Sequence, residues 1–193
     1  MQINGNHQMP KPLPNKDQHT TLSRTFYDVI ESNMALCSGN FLEIGTFNGA
    51  GAARVADKFP DRIIYVVDPF IEDGHTGGTK GDILTQQRYN AQANFKGKDN
   101  IKLYDMTSLK FKDHHLDEIQ DICIVFIDGS HHYDDVTVDF EIARKVLPNG
   151  GLALVDDLHI SDVVQALNEA IESGDFEEVC AGVLRKIPNV GNK

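Results

Sequence analysis

Apolar positions along the chain change their spacing several times, and each change marks an element. From Thr21, the residues Leu22, Phe26, Val29, Ile30 and Met34 recur every three or four positions, which predicts an amphipathic helix ending near Gly39. Five short apolar runs follow: Phe41 to Ile44, Ile63 to Val67, Ile101 to Tyr104, Ile122 to Ile127 and Leu152 to Val155. Runs of this length without polar alternation predict strands buried on both faces, as in a mostly parallel sheet. Helical spacing separates most of them, at Gly51 to Lys58, Ile83 to Phe95 and Val136 to Val146, and returns after the last at Val163 to Ser173. Strand and helix in alternation predict an α/β, doubly wound fold with helices on both faces of the sheet. The closing segment FEEVCAGVLRKI divides at Ala181 and Gly182 into two strand-like pieces, which suit an antiparallel hairpin at one sheet edge.

The beginning of the chain breaks this rhythm. Met1 to Gln18 is polar and carries Pro10, Pro12 and Pro14, so residues 1–18 are expected to form a flexible arm and residues 19–193 a single domain. Composition agrees: 193 residues, 40% hydrophobic and 24% charged, can enclose one sheet and its helices. The formal charge of -11 repels a phosphate backbone, which disfavours a nucleic-acid partner. No apolar run is long enough for a membrane helix or a signal peptide, so a cytoplasmic protein without a membrane partner is expected. Cys37, Cys123 and Cys180 are odd in number and far apart, and are expected as reduced core residues rather than a metal site.

In doubly wound sheets ligands bind beyond the carboxyl ends of the strands, and polar residues gather at those ends here. The first strand runs into the turn FLEIGTFNGA, with Glu43, Gly45, Thr46, Phe47 and Gly49. Gly45 lets backbone approach a ligand closely, and Gly49 with Gly51 opens the next helix without a blocking side chain. The spacing is E-x-G-x-x-x-G rather than the dinucleotide G-x-G-x-x-G, and the acid favours a cationic ligand. Asp68 ends the second strand, where a carboxylate can accept hydrogen bonds from ribose hydroxyls. On these residues alone, nicotinamide and nucleoside ligands stay open.

The stretch from Gly39 to Leu158 resembles the class I S-adenosylmethionine-dependent methyltransferases, with their Rossmann-like fold. The resemblance implies S-adenosylmethionine as the cofactor, with Glu43 and Gly45 near its methionine portion, Asp68 on its ribose and Met106, Thr107 and Ser108 near its adenine.

Strand IVFI leads into Asp128, Gly129, Ser130, His131 and His132, and strand LALV into Asp156 and Asp157. Fourth and fifth strands that are neighbours, roughly 4.8 Å apart, would bring these acids together beside the cofactor mouth. Converging carboxylates repel one another unless a cation neutralises them, and an oxygen-rich set suits Mg²⁺, Mn²⁺ or Ca²⁺. The segment IDGSHHYDDVTVDFEIARKVLPNGGLALVDD resembles small metal-dependent O-methyltransferases, a subfamily that includes macrocin-type sugar methyltransferases and cephalosporin hydroxylase-like proteins. That resemblance implies Asp128, Asp156 and Asp157 as metal ligands, Asp128 also beside the cofactor, and His131 as the general base. The acceptor would be a hydroxyl of a small molecule, such as a sugar or glycosylated metabolite. Alternatives of the same fold are a metal-independent methyltransferase, a hydroxylase-like enzyme, and a cofactor-binding scaffold without turnover.

Other residues have plainer readings. His132 supports its loop or contacts substrate, and His159 stands equally for the metal site or the surface. His114 and His115 read as solvated loop residues, and Asp134, Asp135 and Asp139 as acids at the positive start of a helix. The glycine-rich residues 71–81 suit either a lid over substrate, with His75, Arg88 and Tyr89 as candidate acceptor contacts, or a plain flexible connection. So short a chain leaves its acceptor pocket open, or completed by the arm or by a second subunit in a homo-oligomer.

Overall fold

A computed structural model describes residues 22–70 and 82–188, with side chains from Phe26 onward in the first stretch and from Gln86 onward in the second. The arm at 1–18, and the expected lid at 71–81 with His75, lie outside the described residues. Among the described residues, six α-helices and seven strands follow in the order α1 (Leu22–Met34), β1 (Asn40–Ile44), α2 (Ala50–Lys58), β2 (Ile64–Val67), α3 (Asp82–Phe95), β3 (Ile101–Tyr104), α4 (Ser108–His114), β4 (Ile122–Ile127), α5 (Tyr133–Val146), β5 (Leu152–Val155), α6 (Ser161–Glu172), β6 (Phe176–Cys180) and β7 (Val183–Lys186), with a 3-10 turn at Leu116–Glu118 between α4 and β4.

The strands form one sheet in the order β3-β2-β1-β4-β5-β7-β6. The first five are parallel, and β7 runs antiparallel to both β5 and β6, so the expected hairpin closes one edge. The chain leaves β1 for β2 and β3 on one side, then returns to lay β4 on the other, so the switch of direction falls between β1 and β4. Ligands of such sheets bind there.

Strand alternation divides the core in two. Phe41, Ile64, Val66, Ile124, Phe126 and Leu154 face α1 and α2, where they meet Phe26, Ile30, Met34, Ala52 and Val55. Leu42, Ile44, Val67, Val125, Ile127 and Val155 face the other way, onto Phe111, Val136, Phe140, Val163 and Leu167. A helix of 13 residues is marginal by itself. Burial of Phe26, Ile30 and Met34 holds α1 to the sheet, and buried Glu31 pairs with Arg54 and Lys58 of α2.

The elements depart from the apolar pattern in four places. Helix α1 stops at Met34 rather than Gly39, since the chain must turn there to enter β1. Helix α5 begins at Tyr133, one turn before Val136, because its first turn presents Asp134 and Asp135 outward. Helix α4 was not anticipated, since Phe111 is its one buried residue and a single anchor shows no period. Accordingly His114 ends α4, and His115 pairs through Nδ1 with Glu118 at 2.8 Å and stacks near Tyr104, so neither belongs to an open loop. Lastly, Cys37 and Cys123 form a disulfide with Cα atoms 6.6 Å apart, which corrects the expectation of reduced thiols. They are 86 residues apart in sequence and meet because β1 pairs with β4 at Asn40 and Ile122.

Candidate active site

The site assembles where β1, β4 and β5 end level with one another. Ile44 pairs with Ile127 and Ile127 with Val155, so Gly45, Asp128 and Asp156 emerge side by side, as the strand order required.

Glu43 is fully buried, and alternation after Phe41 sends it toward α1 and α2. The Thr46 hydroxyl donates to its Oε1 at 2.5 Å and the Tyr27 hydroxyl to its Oε2 at 3.4 Å. Burial pushes the carboxyl up to about 7; the two hydroxyls oppose the rise and Asp68 adds to it. Among the described residues no cation contacts this buried acid, so its chemistry suits a ligand that brings an ammonium group.

The turn that follows cannot be built without glycine. Gly45 has φ 85°, and a Cβ there would lie 2.0 Å from the Asp128 carbonyl oxygen. Phe47 also takes positive φ, 52°, with its ring 60% exposed, an arrangement that strains a non-glycine residue and leaves an aromatic face at the mouth. Asp68 holds this turn together: Oδ2 accepts from the backbone N–H of Thr46 (2.7 Å) and Phe47 (3.1 Å), and Oδ1 from Phe70 (2.6 Å). A carboxylate has about four acceptor positions, so about one remains for a ribose hydroxyl.

On the far side, Thr107 caps α4 through its side chain, Met106 packs against the core, and Ser108 hydrogen-bonds Asp139. Asp139 is therefore no helix-start residue. It lies 1% exposed in the second turn of α5, its Oδ1 without a hydrogen-bond partner, and burial pushes it up to about 7. Arg88, a candidate acceptor contact, pairs instead with Asp105 at 2.8 Å and lies over Phe70, tying the ends of β2 and β3; Tyr89 is 66% exposed on α3.

The three aspartates part company. Asp128 is exposed at the mouth, just beyond the end of β4. Removal from bulk water, and then Asp156, Glu43, Asp157 and Asp68, push it up to about 8; solvent at the mouth screens part of the rise, and its direction stands. Burial and the charge of Asp157 raise Asp156 also, against the backbone N–H of Asp157, which donates to Asp156 Oδ1 at 2.7 Å. Asp157 has φ 57°, a left-handed turn that aspartate tolerates, and meets His131: Nε2 lies 2.6 Å from Asp157 Oδ2. His159, 77% exposed, stands 3.7 Å from the other oxygen. His132 caps α5 from an exposed position, behind a loop held by Ser130 donating to Asp135 at 2.7 Å.

These aspartates do not fit a shared divalent cation as they stand: among the described residues no three His, Cys, Asp or Glu side chains are arranged to hold a metal. Asp157 is directed instead to the imidazole of His131.

Tyr27 reaches this site without any signal in the sequence beyond its place beside the apolar stripe of α1. Beyond His159, an open groove of about 540 Å³ runs along α6, lined by Ser161, Val164, Gln165, Asn168 and Glu172. No helix among the described residues is long and apolar enough to cross a membrane.

Comparison with known proteins agrees with this geometry. An uncharacterised protein of Acanthamoeba polyphaga mimivirus is 26% identical over 157 residues, 77% of this chain and 68% of its own length. Among solved structures, the O-methyltransferase NovP superposes with a TM-score of 0.64 at 16% identity, covering 86% of this chain and 79% of that one. A TDP-rhamnose 3'-O-methyltransferase of calicheamicin biosynthesis gives 0.57 at 13% identity, covering 84% and 77%. These likenesses establish a shared fold. Residues 42–158, which span the glycine turn, Asp68, Asp128, His131, Asp156 and Asp157, match the family model described as "Methyltransferase domain". The chain belongs to that family and is an S-adenosylmethionine-dependent methyltransferase.

Proposed function

We propose that the chain is an O-methyltransferase acting on a hydroxyl of a small, sugar-bearing molecule, with the His131–Asp157 pair as its base. The observation that carries this reading is the 2.6 Å contact between His131 Nε2 and Asp157 Oδ2 beside the switch point. A hydroxyl oxygen is a weak nucleophile until its proton has somewhere to go, and an imidazole set by a carboxylate accepts it near neutral pH. S-adenosylmethionine, when bound, supplies a methyl group on a sulfonium. Glu43 and the turn Gly45, Thr46, Phe47 and Gly49 take its methionine end, Asp68 its ribose, Met106, Thr107 and Ser108 its adenine, and Asp128 borders it. There S-adenosylmethionine would supply the electrophilic methyl group, and His131, set by Asp157, would take the proton that the acceptor hydroxyl gives up. Positioning supplies much of the rate, so no covalent intermediate is needed.

The groove beyond His159 supports the acceptor class. Ser161, Gln165 and Asn168 present hydrogen-bonding groups of the kind that sugars use. The net charge of -11 supports a small acceptor over a nucleic acid, whereas the Cys37–Cys123 disulfide speaks against the reducing cytoplasm expected from the sequence. A homo-oligomer would narrow the open groove, which sedimentation tests.

Turnover of S-adenosylmethionine with a panel of glycosides, read by product mass, tests the reaction. A gain of one methylene unit is expected. A gain of one oxygen would place the chain with hydroxylase-like enzymes, and cofactor binding without any product would make it a scaffold. Since the aspartates are not arranged around an ion, activity is expected to survive EDTA. Loss on chelation, restored by Mg²⁺, would instead assign Asp128, Asp156 and Asp157 to a metal.

A further inference from the structure

We propose that Tyr27 of α1 is a positioning residue for the cofactor's methionine end, its hydroxyl holding one oxygen of Glu43 so that the carboxylate meets the ligand's ammonium group. This rests on the reading of Glu43 given above and extends the site to an element outside the residues that match the methyltransferase family.

The phenol occupies a place made for it. A Cβ on Gly51 would lie 1.8 Å from the Tyr27 oxygen, so the glycine in the first turn of α2 leaves room for the phenol. The ring stands edge-on to Phe126 at 5.7 Å, with the Arg54 guanidinium 6.0 Å from its centre. Its hydroxyl points to Glu43 Oε2 at 3.4 Å, while Thr46 holds Oε1. Burial first, and then Glu43, Asp128 and Asp156, hold this phenol far above its ordinary range, so at physiological pH it is a permanent donor and no acid. The charged groups around the pair are Asp68, Asp128 and Asp156 at the strand ends and Arg54 over the ring.

A donor to the ionised form lowers a carboxyl's pKa, so removing it leaves more of Glu43 protonated near pH 7 and little changed near pH 9. S-adenosylhomocysteine binding by calorimetry between pH 6 and pH 9 separates the possibilities. Glu43→Gln is expected to weaken binding about tenfold or more, the worth of a charge-assisted contact. Tyr27→Phe, which keeps every ring contact, is expected to weaken it about three- to tenfold near pH 7 and to converge with the wild type by pH 9. If Glu43→Gln binds poorly but the Tyr27→Phe curve overlies the wild type, or lies below it equally at every pH, the role of Tyr27 is refuted. If Glu43→Gln binds normally, the reading of Glu43 itself fails.

Discussion

Glu43→Gln should make the ligand-free protein more stable above neutral pH while impairing its use of cofactor. Glu43 is wholly buried, and burial raises its carboxyl from the usual 4.5 to about 7. At about 1.4 kcal/mol for each pH unit, ionising it in the folded protein costs roughly 3 kcal/mol more than in the unfolded chain. The sign follows from proton binding. Below pH 4.5 both states hold the proton; between 4.5 and 7 the unfolded chain releases it first, so stability falls as pH rises, and above 7 the full cost is present. Glutamine carries no such dependence. Its amide accepts from one of Thr46 and Tyr27 but not both, a loss of about 1 kcal/mol at every pH. The variant should thus be slightly less stable than wild type near pH 4.5 and about 2 kcal/mol more stable at pH 8. Urea unfolding at the two pH values reads this directly, as a midpoint rise on the order of 1 M at pH 8. Groups shared by both proteins cancel in the difference, apart from Asp128 and Tyr27, whose own rises include Glu43; of these Tyr27 stays protonated throughout this range. A difference that stays the same at both pH values would refute the reasoning.

Three further outcomes are expected. Asp157→Asn should lower kcat by about 100- to 10,000-fold with any acceptor that turns over, while S-adenosylhomocysteine affinity, read by calorimetry, stays within about threefold; equal losses in both would mean that Asp157 shapes the fold rather than the base. Gly45→Ala forces a methyl against the Asp128 carbonyl at positive φ, so a destabilisation of about 2–5 kcal/mol is expected, visible as a melting temperature lower by about 5 °C or more. Alkylation of the unfolded protein without reductant should label one cysteine, Cys180, and all three after reduction; three labelled from the start would mean reduced thiols, as a cytoplasmic setting favours.

The scaffold was legible because both core layers depend on apolar residues at regular intervals. Strands β3, β4 and β5 have the limits their apolar runs imply, and the alignment of Gly45, Asp128 and Asp156 follows from strand order. What the sequence concealed depends on direction rather than spacing. Asp156 and Asp157 read as one pair, but a left-handed turn at Asp157 points the second to His131. Asp139 looked like its neighbours Asp134 and Asp135, yet one further turn of α5 carries it under Ser108. Tyr27 and Glu43 lie 16 residues apart, and the disulfide partners 86; such contacts exist only once α1 rests on the sheet and β1 beside β4.

The backbone of Gly45 lies so close to the carbonyl of Asp128 and the α-carbon of Gly129 that not even a methyl group fits between them. The glycine turn after β1 and the loop after β4 that carries His131 are thus mechanically one part. A graft that replaced either loop would displace the other, so laboratory redesign of this enzyme has little latitude there. The α6 side is more loosely tied: Ser161, Gln165 and Asn168 line an open groove that meets the site through His159 and through Ile160, whose N–H donates to the Asp157 carbonyl at 2.9 Å. On the proposed function, acceptor preference can be rewritten along that helix with donor chemistry left intact, and that is where variation between relatives should concentrate.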